Sequence, residues 1–353
     1  MGKQYSISQI RKAGKKLRNE ELGDEDRAKY LDILAYWRAQ HHIPLNTAVA
    51  DLKQVSEGID KHSIIAAREK RATSIVEKLK RERSMSLALM QDIGGCRVIV
   101  TRQKDADKIN KALRKKKHIT LSNNYVKNPK SDGYRGHHFV GRYDTKEYDN
   151  LPIEFQVRTK IQHAWATAGE ITELFASTPI KNLYGDKEWK EFYRLAADCF
   201  AIVDDRYIER DMDPKAFDVK NAAQILRERH GNEIRSISKE LKRRSRELNV
   251  HKKFSVFRSS LNHTVAQVRS GNYCVLHAKN LRSGTPSVTI RTCESVDDAR
   301  RINFEVERMI TNNTDELVVM LSVNDMVSLE EAYPNYFADS EYFLRLLSAV
   351  EGI

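Results

Sequence analysis

Proline is scarce in this chain, with seven residues in 353, and cysteine scarcer still, with four. None of Cys96, Cys199, Cys274 and Cys293 forms a CxxC pair, which argues against a structural zinc site. The default is reduced thiols in a cytoplasmic protein, with a Cys274–Cys293 bridge open if neighbouring strands carry the two. No run of about eighteen apolar residues occurs, which speaks against a membrane span. The start, Met1-Gly2-Lys3-Gln4-Tyr5, has no apolar signal region. GxxxxGK(S/T) is missing, which excludes a P-loop, and so is HExxH. What remains is a globular composition, 40% hydrophobic and 31% charged, long enough for two domains or one with large additions. The formal charge of +12 points toward polyanions: nucleotides, RNA or acidic proteins.

Hydrophobic spacing predicts helices over residues 5–50, closed by Pro44, and over 46–66. A strongly basic helix is expected from Ser63 to Leu89, interrupted near Ser84. Ile93-Gly94-Gly95 stops it, and Cys96-Arg97-Val98-Ile99-Val100 reads as a buried strand. A basic helix at 104–117, strands at 138–143 and 153–158, and helices at 159–176 and 186–211 follow. This order predicts an α/β (α+β) fold: a mixed, mainly antiparallel sheet flanked by helices. Residues 219–253 read as a long basic helical connector. Strands at 273–278, 287–292 and 316–323, a helix at 295–310 capped by Ser295, and a helical tail make a smaller C-terminal α/β unit. The expected division is a core at 1–218, the connector at 219–253, and a regulatory or partner-binding unit at 254–353.

Four constellations carry candidate chemistry. On one helical stripe Lys70, Ser74, Lys78 and Arg81 would grip a triphosphate; the plainer reading is a solvated basic face. Asp92 stands before a strand, beside Gly94 and Gly95, where a carboxylate approaches a metal closely. Alternation in 153–158 puts Ile153, Phe155 and Val157 on one face and Glu154, Gln156 and Arg158 on the other. His163 and Trp165, just beyond, suggest that the polar face is covered. In the loop 127–138, Pro129 and Gly133 shape a turn, Tyr134 is suited to stack on a base, and Lys130 and Arg135 to take phosphates.

Taken in order, these motifs resemble the synthetase domain of the RelA/SpoT family, the (p)ppGpp synthetases, over roughly residues 50–180. The matching residues are Arg68, Lys70, Ser74, Ile75 and Lys78; Asp92 with Arg97; Pro129, Lys130, Gly133, Tyr134, Arg135 and His138; and Glu154, Gln156, Arg158 and Thr159. The resemblance implies a nucleotidyltransferase-like core that moves the β,γ-pyrophosphate of ATP to a ribose 3′-hydroxyl and releases AMP. Arg68 would stack on adenine, and Lys70, Ser74, Lys78 and Arg81 would hold the donor. Asp92 and Glu154 would bind Mg2+, with Glu154 also a candidate base and Arg97 beside them. Tyr134 would stack on the acceptor base, and Lys130, Arg135, His138, Gln156, Arg158 and His163 would contact the acceptor.

The chain departs from the family pattern at Ser131-Asp132, at Gly136-His137 and at Thr167, where many relatives place Glu. These changes cluster at the acceptor side, so GDP, GTP and the 3′ end of tRNA all stay open as acceptors. For tRNA, the basic connector and Arg114-Lys115-Lys116-Lys117 would hold the RNA backbone. A non-catalytic nucleotide or RNA sensor is the third reading. The first fifty residues are too short for a hydrolase domain and lack its His-Asp pair, so a synthesis-only member is expected.

Overall fold

Strict alternation organises the centre of the molecule. In Leu151–Thr159 (β5), Ile153, Phe155 and Val157 are fully buried on one face, while Glu154 and Gln156 stay half-buried on the other. The structure is a computed structural model that describes residues 4–19, 21–175, 187–206, 218–260, 262–265, 273–280, 287–310, 316–322 and 340–353. The first five strands are β1 (Ile64–Glu69), β2 (Gly94–Val100), β3 (Ile119–Asn124), β4 (His137–Tyr143) and β5. They form a mixed sheet in the order β3-β4-β5-β2-β1, parallel only between β2 and β5. Four more strands, β6 (Asn262–Val265), β7 (Tyr273–Lys279), β8 (Ser287–Cys293) and β9 (Leu317–Ser322), extend it as β9-β7-β8-β6. The join is short: Ala67 pairs with Ser322 and Arg68 with Leu321.

Helices cover both faces. The N-terminal helices are α1 (Ile7–Leu17), α2 (Asp24–Gln40) and α3 (His42–Glu57), followed by α4 (Ala72–Arg81) and α5 (Gln103–Leu113). Leu45, Leu52, Ile109 and Leu113 of α3 and α5 pack on the apolar face with Val98, Phe139 and Phe155. Three longer helices, α6 (Lys160–Phe175), α7 (Lys187–Arg206) and α8 (Val219–Glu247), share a core with α9 (Val250–Ser260) and α11 (Glu341–Glu351). The remaining helix, α10 (Val296–Met309), packs on β7 and β9 through Ala299, Ile302 and Val306. It starts where Ser295 predicts, its hydroxyl accepting from Asp298 N at 3.1 Å.

Several expectations change. The basic helix foreseen from Ser63 to Leu89 is a strand, a helix and a single 3-10 turn at Leu87–Leu89. Its first part alternates as well as it spirals: Ala66 and Arg68 take one face, Ile65, Ala67 and Glu69 the other, and pairing with β2 decides for the strand. Pro44 does not end a helix. It sits in the first turn of α3, where an N–H needs no helical partner. Edge strand β3 escaped notice because Thr120, Ser122 and Asn123 are polar and exposed, and its register slips between Leu121 and Asn123. The ends of the helix and strand expected at 207–211 and 323, and the start of the tail at 324–339, lie outside the described residues.

Residues 219–253 do not stand apart as a connector. Leu226, Ile234 and Leu241 of α8, with Leu248 just past its end, are buried in the same core as Phe192, Phe200 and Phe343. Helix α8 ends at Glu247, and Asn249, with a φ of 53°, turns the chain into α9. Lys242 Nζ donates to Glu351 O at 2.7 Å, and Arg227 and Ser238 donate to Gly352 O and Val350 O. These bonds cap the carbonyl end of α11, where cations are favoured. The Cys274–Cys293 bridge does not form. The two lie on neighbouring strands, but Cys274 faces Thr292 and Cys293 faces Tyr273, so their side chains leave on opposite faces. No described helix is long and apolar enough to cross a membrane.

Phe343 on α11 contacts the rings of Phe192, Tyr193, Phe200 and Phe254 and is 1% exposed. Phe343→Ala is expected to cost about 3 kcal/mol in urea unfolding. A loss below about 0.5 kcal/mol, the level of a neutral surface change, would show that α11 does not share that core.

Candidate active site

The sheet register builds the site. Across the parallel pair, Gly95 lies beside Glu154 and Arg97 beside Gln156. On the far side of β2, Arg68 of β1 lies opposite Gly95. Directly paired residues share a face, so arginine, glycine and glutamate form one row across three strands. Glycine in the middle leaves the space between the two charges open. Arg68, Lys70, Asp92, Gly95, Arg97, Glu154, Gln156 and Arg158 line a single cleft on this face. Residues of three of the four constellations thus line one cleft, and the 127–138 loop reaches them through Tyr134 and His138.

Glu154 belongs to a closed ring of side-chain hydrogen bonds. Its Oε1 meets His138 Nδ1 at 3.1 Å and its Oε2 accepts from Gln156 Nε2 at 2.8 Å. Gln156 Oε1 accepts from Arg158 Nη2 at 2.7 Å, and Arg158 Nε donates to the Tyr134 hydroxyl at 3.1 Å. The hydroxyl closes the ring on His138 Nε2 at 2.6 Å. One assignment makes every bond of the ring: Tyr134 donates to Nε2, and His138 carries a proton on Nδ1 and donates to Glu154, while the buried Arg158 Nη1 stays outside the ring with no hydrogen-bond partner. Burial alone would raise the Glu154 pKa, but the hydrogen bonds from His138 and Gln156 pull it below the usual glutamate value. Glu154 is therefore ionised at neutral pH.

Asp92 forms the second cluster. Lys70 Nζ reaches its Oδ2 and Lys78 Nζ its Oδ1, each at 2.9 Å. Lys70 precedes α4 and Lys78 lies on it, so two elements converge on one carboxylate. Burial pushes the Asp92 pKa up, yet the two ammonium groups outweigh it and leave the group below its ordinary value. The Asp92 charge in turn disfavours that of Glu154, so the two carboxylates feel each other.

Other candidates lie elsewhere. The foreseen stripe Lys70, Ser74, Lys78 and Arg81 does not exist as one helical face, because α4 begins at Ala72. Ser74 is half-buried on α4, and Arg81 is largely solvated beside Glu82. Neither lines the cleft. His163 is buried on α6, also away from the lining. Arg135 turns outward from the site: its Nη2 donates to Asp198 on α7 at 3.2 Å and its Nη1 to Val126 O. It anchors the loop rather than facing the cleft. Gly133 lets the loop dock there, since at its φ of +95° a Cβ would lie 2.6 Å from Ala197 Cβ.

Tyr134 also differs from expectation. Its ring is 9% exposed and packs near Trp165, with Lys130 Nζ 4.9 Å from its centre and the Arg158 guanidinium at 5.1 Å. Cations therefore cover the face expected to stack on a base. Lys130 also stands 4.8 Å from the ring of half-buried Tyr125, which sequence reading passed over. Glu170 of α6 was missed too: it lines the cleft, and helical periodicity alone gives no sign of it.

Of the cations foreseen for RNA, Lys116 is held by Asp51 and Gln54, and Arg243 and Arg244 by Glu240 and Glu247. Arg227 and Lys242 bind the end of α11, as described above. These cations already have partners within the protein, which leaves less charge for a polyanion.

The family profile described as "Region found in RelA / SpoT proteins" matches residues 67–174. The chain is similar to the small alarmone synthetase 1 from Bacillus subtilis, solved bound to its product pppGpp: 26% identity over 48% of this chain and 93% of that one, TM-score 0.39. Small alarmone synthetase 2 from Bacillus subtilis gives 22% identity, 49% and 94% coverage and a TM-score of 0.40. A GTP pyrophosphokinase family protein from Streptococcus pneumoniae gives 22%, 48% and 90%, and 0.38. No curated protein matches. The profile match falls within the stretch in which the four motifs resemble the RelA/SpoT family.

The depressed pKa of Asp92 has a testable sign. The stability it contributes is full above its unfolded pKa of about 3.9 and is lost as pH falls through the lower folded value. The stability difference between wild type and Asp92→Asn is expected to hold from about pH 7 to about pH 5 and to shrink below about pH 4. A difference that widens on acidification would contradict the Lys70–Asp92–Lys78 cluster.

Proposed function

We propose that this chain is a pyrophosphokinase that transfers the β,γ-pyrophosphate of ATP to the 3′-hydroxyl of GDP or GTP, making (p)ppGpp. The observation that carries the reading is one cleft holding an ionised Glu154, fixed in its ring, beside Asp92 and its two lysines. The match of residues 67–174 to the RelA/SpoT region supports it. In the reaction the acceptor O3′ attacks the β-phosphorus of ATP. The bond from that phosphorus to the α,β-bridging oxygen breaks, and AMP leaves. Glu154 takes the proton of the attacking hydroxyl. Lys70 and Lys78 exchange Asp92 for donor phosphates, and Arg68 takes the adenine. Such transfers depend mostly on positioning and charge neutralisation, which this residue set supplies.

Among the described residues no group of three or more His, Cys, Asp or Glu side chains gathers to cage a metal. Two carboxylates do suit Mg2+ that arrives on nucleotide phosphates, since that ion keeps few protein ligands. Asp92 and Glu154 would hold it, and when bound it would neutralise phosphate charge. On the acceptor side, a guanine base would displace Lys130 from the Tyr134 face and lie near Tyr125. The freed ammonium, with the Arg158 guanidinium, would meet the acceptor phosphates.

The test offers ATP labelled at the γ-phosphate with GDP, GTP or deacylated tRNA, with and without Mg2+. Label is expected in the guanine nucleotide. Label in tRNA would replace the proposed acceptor, and none anywhere would leave a non-catalytic sensor. Glu154→Gln is expected to lower transfer by at least about a hundredfold with the circular dichroism unchanged; near-wild-type turnover would remove Glu154 from the chemistry.

Tyr134→Phe separates two roles, because it keeps the ring face and removes the hydroxyl. Acceptor kcat/KM is expected to fall by about fivefold or more, since His138 and Arg158 each lose a partner. An unchanged value would mean that only the ring face matters.

A further inference from the structure

The helix that carries Lys78 has no cap of its own. Arg71 at the N-cap of α4 makes no side-chain bond to the first turn, and that turn holds no acidic residue. The acceptor comes from the C-terminal unit, 235 residues away: Ala72 N donates to Glu307 Oε1 on α10 at 3.0 Å. Glu307 Oε2 accepts from Arg38 Nη1 on α2 at 2.5 Å, both side chains almost wholly buried. Two helical turns earlier on α10, Arg300 Nη2 reaches Glu69 Oε1 at 3.3 Å. One face of α10 therefore grips Glu69 and Ala72, the residues on either side of Lys70 and Arg71. The Lys70 backbone is itself tied to the Asp92 loop, its N donating to Ile93 O at 2.7 Å.

We propose that Glu307 is a positioning residue for the pyrophosphate-donor site, holding Lys70 and Lys78 in place by capping α4 from the C-terminal unit. The inference rests on the pyrophosphokinase reading, which assigns those lysines to the donor. Its physical basis is twofold. A carboxylate at a helix N-terminus satisfies an orphan N–H and meets the positive end of the helix dipole. A lysine on a long flexible stem is aimed only as well as its backbone is fixed, and two lysines converging on one carboxylate need two fixed backbones. Glu307 fixes the start of α4 directly, and Arg300 fixes the end of β1 through Glu69. The C-terminal unit thus completes the donor site without entering the cleft.

The test compares wild type, Glu307→Gln and the double variant Arg38→Met/Glu307→Leu in the full chain. It reads donor KM, acceptor KM, kcat, thermal midpoint and the Kd of a non-hydrolysable ATP analogue. The double variant replaces a buried ion pair with apolar volume, which often restores stability, yet gives Ala72 N no acceptor. Its donor KM and analogue Kd are expected to rise roughly fivefold, with acceptor KM unchanged and the midpoint near wild type. Glu307→Gln, which keeps a neutral acceptor, is expected to fall between. Donor constants that do not move, or donor and acceptor KM rising together in step with lost stability, would overturn the proposal. If the double variant does not fold, the donor-against-acceptor split in Glu307→Gln decides by the same criterion. A wild type that neither transfers pyrophosphate nor binds the analogue would defeat the enzymatic reading, and this inference with it. Normal wild-type activity with unmoved donor constants would defeat this inference alone.

Discussion

The parallel register between β2 and β5 is the constraint on which the site depends. It sets Gly95 beside Glu154 and Arg97 beside Gln156. Side chains alternate with a period of two, so a slip of one residue would send Glu154, Gln156 and Arg158 into the core and bring Ile153, Phe155 and Val157 to the cleft. The buried partners of those three apolar residues on β2, β4 and α5 forbid the slip. Packing on one face of the sheet thereby fixes the chemistry on the other.

Charge on that face is held by mutual contacts. A carboxylate, an amide, a guanidinium, a phenol and an imidazole bond to one another around the Glu154 ring, and Asp92 is shared by two lysines. Leaving any of these groups unpaired in a poorly hydrated cleft would cost more than a hydrogen bond usually returns. On the proposed reading, phosphates and an aromatic base take over contacts that the protein now makes with itself.

The C-terminal strands and helices are part of the same structure as the RelA/SpoT region. Strand β9 adds to the edge of β1, α11 lies in one core with α7 and α8, and α10 reaches the turn before α4. Much of the basic charge on α8 serves this assembly, either capping α11 or pairing along the helix. A high positive charge is thus a poor guide to a polyanion site until the internal partners are known.

Local pattern in the sequence determined a good deal. The alternation of 153–158 marks both faces of β5, Asp92 with two glycines marks a strand edge, and Ser295 marks the start of α10. Each signal lies within a few residues of the feature it describes. Only the tertiary structure decided that Ile64–Glu69 is a strand, that Arg135 serves as an anchor, that the Tyr134 ring is covered, and that Glu307 caps a helix far along the chain. Those outcomes depend on partners distant in sequence: β2 for the strand, Asp198 for the arginine, Lys130 and Arg158 for the ring, Ala72 for the glutamate. Periodicity reports which face a side chain takes. What that face meets is set by how the chain closes on itself.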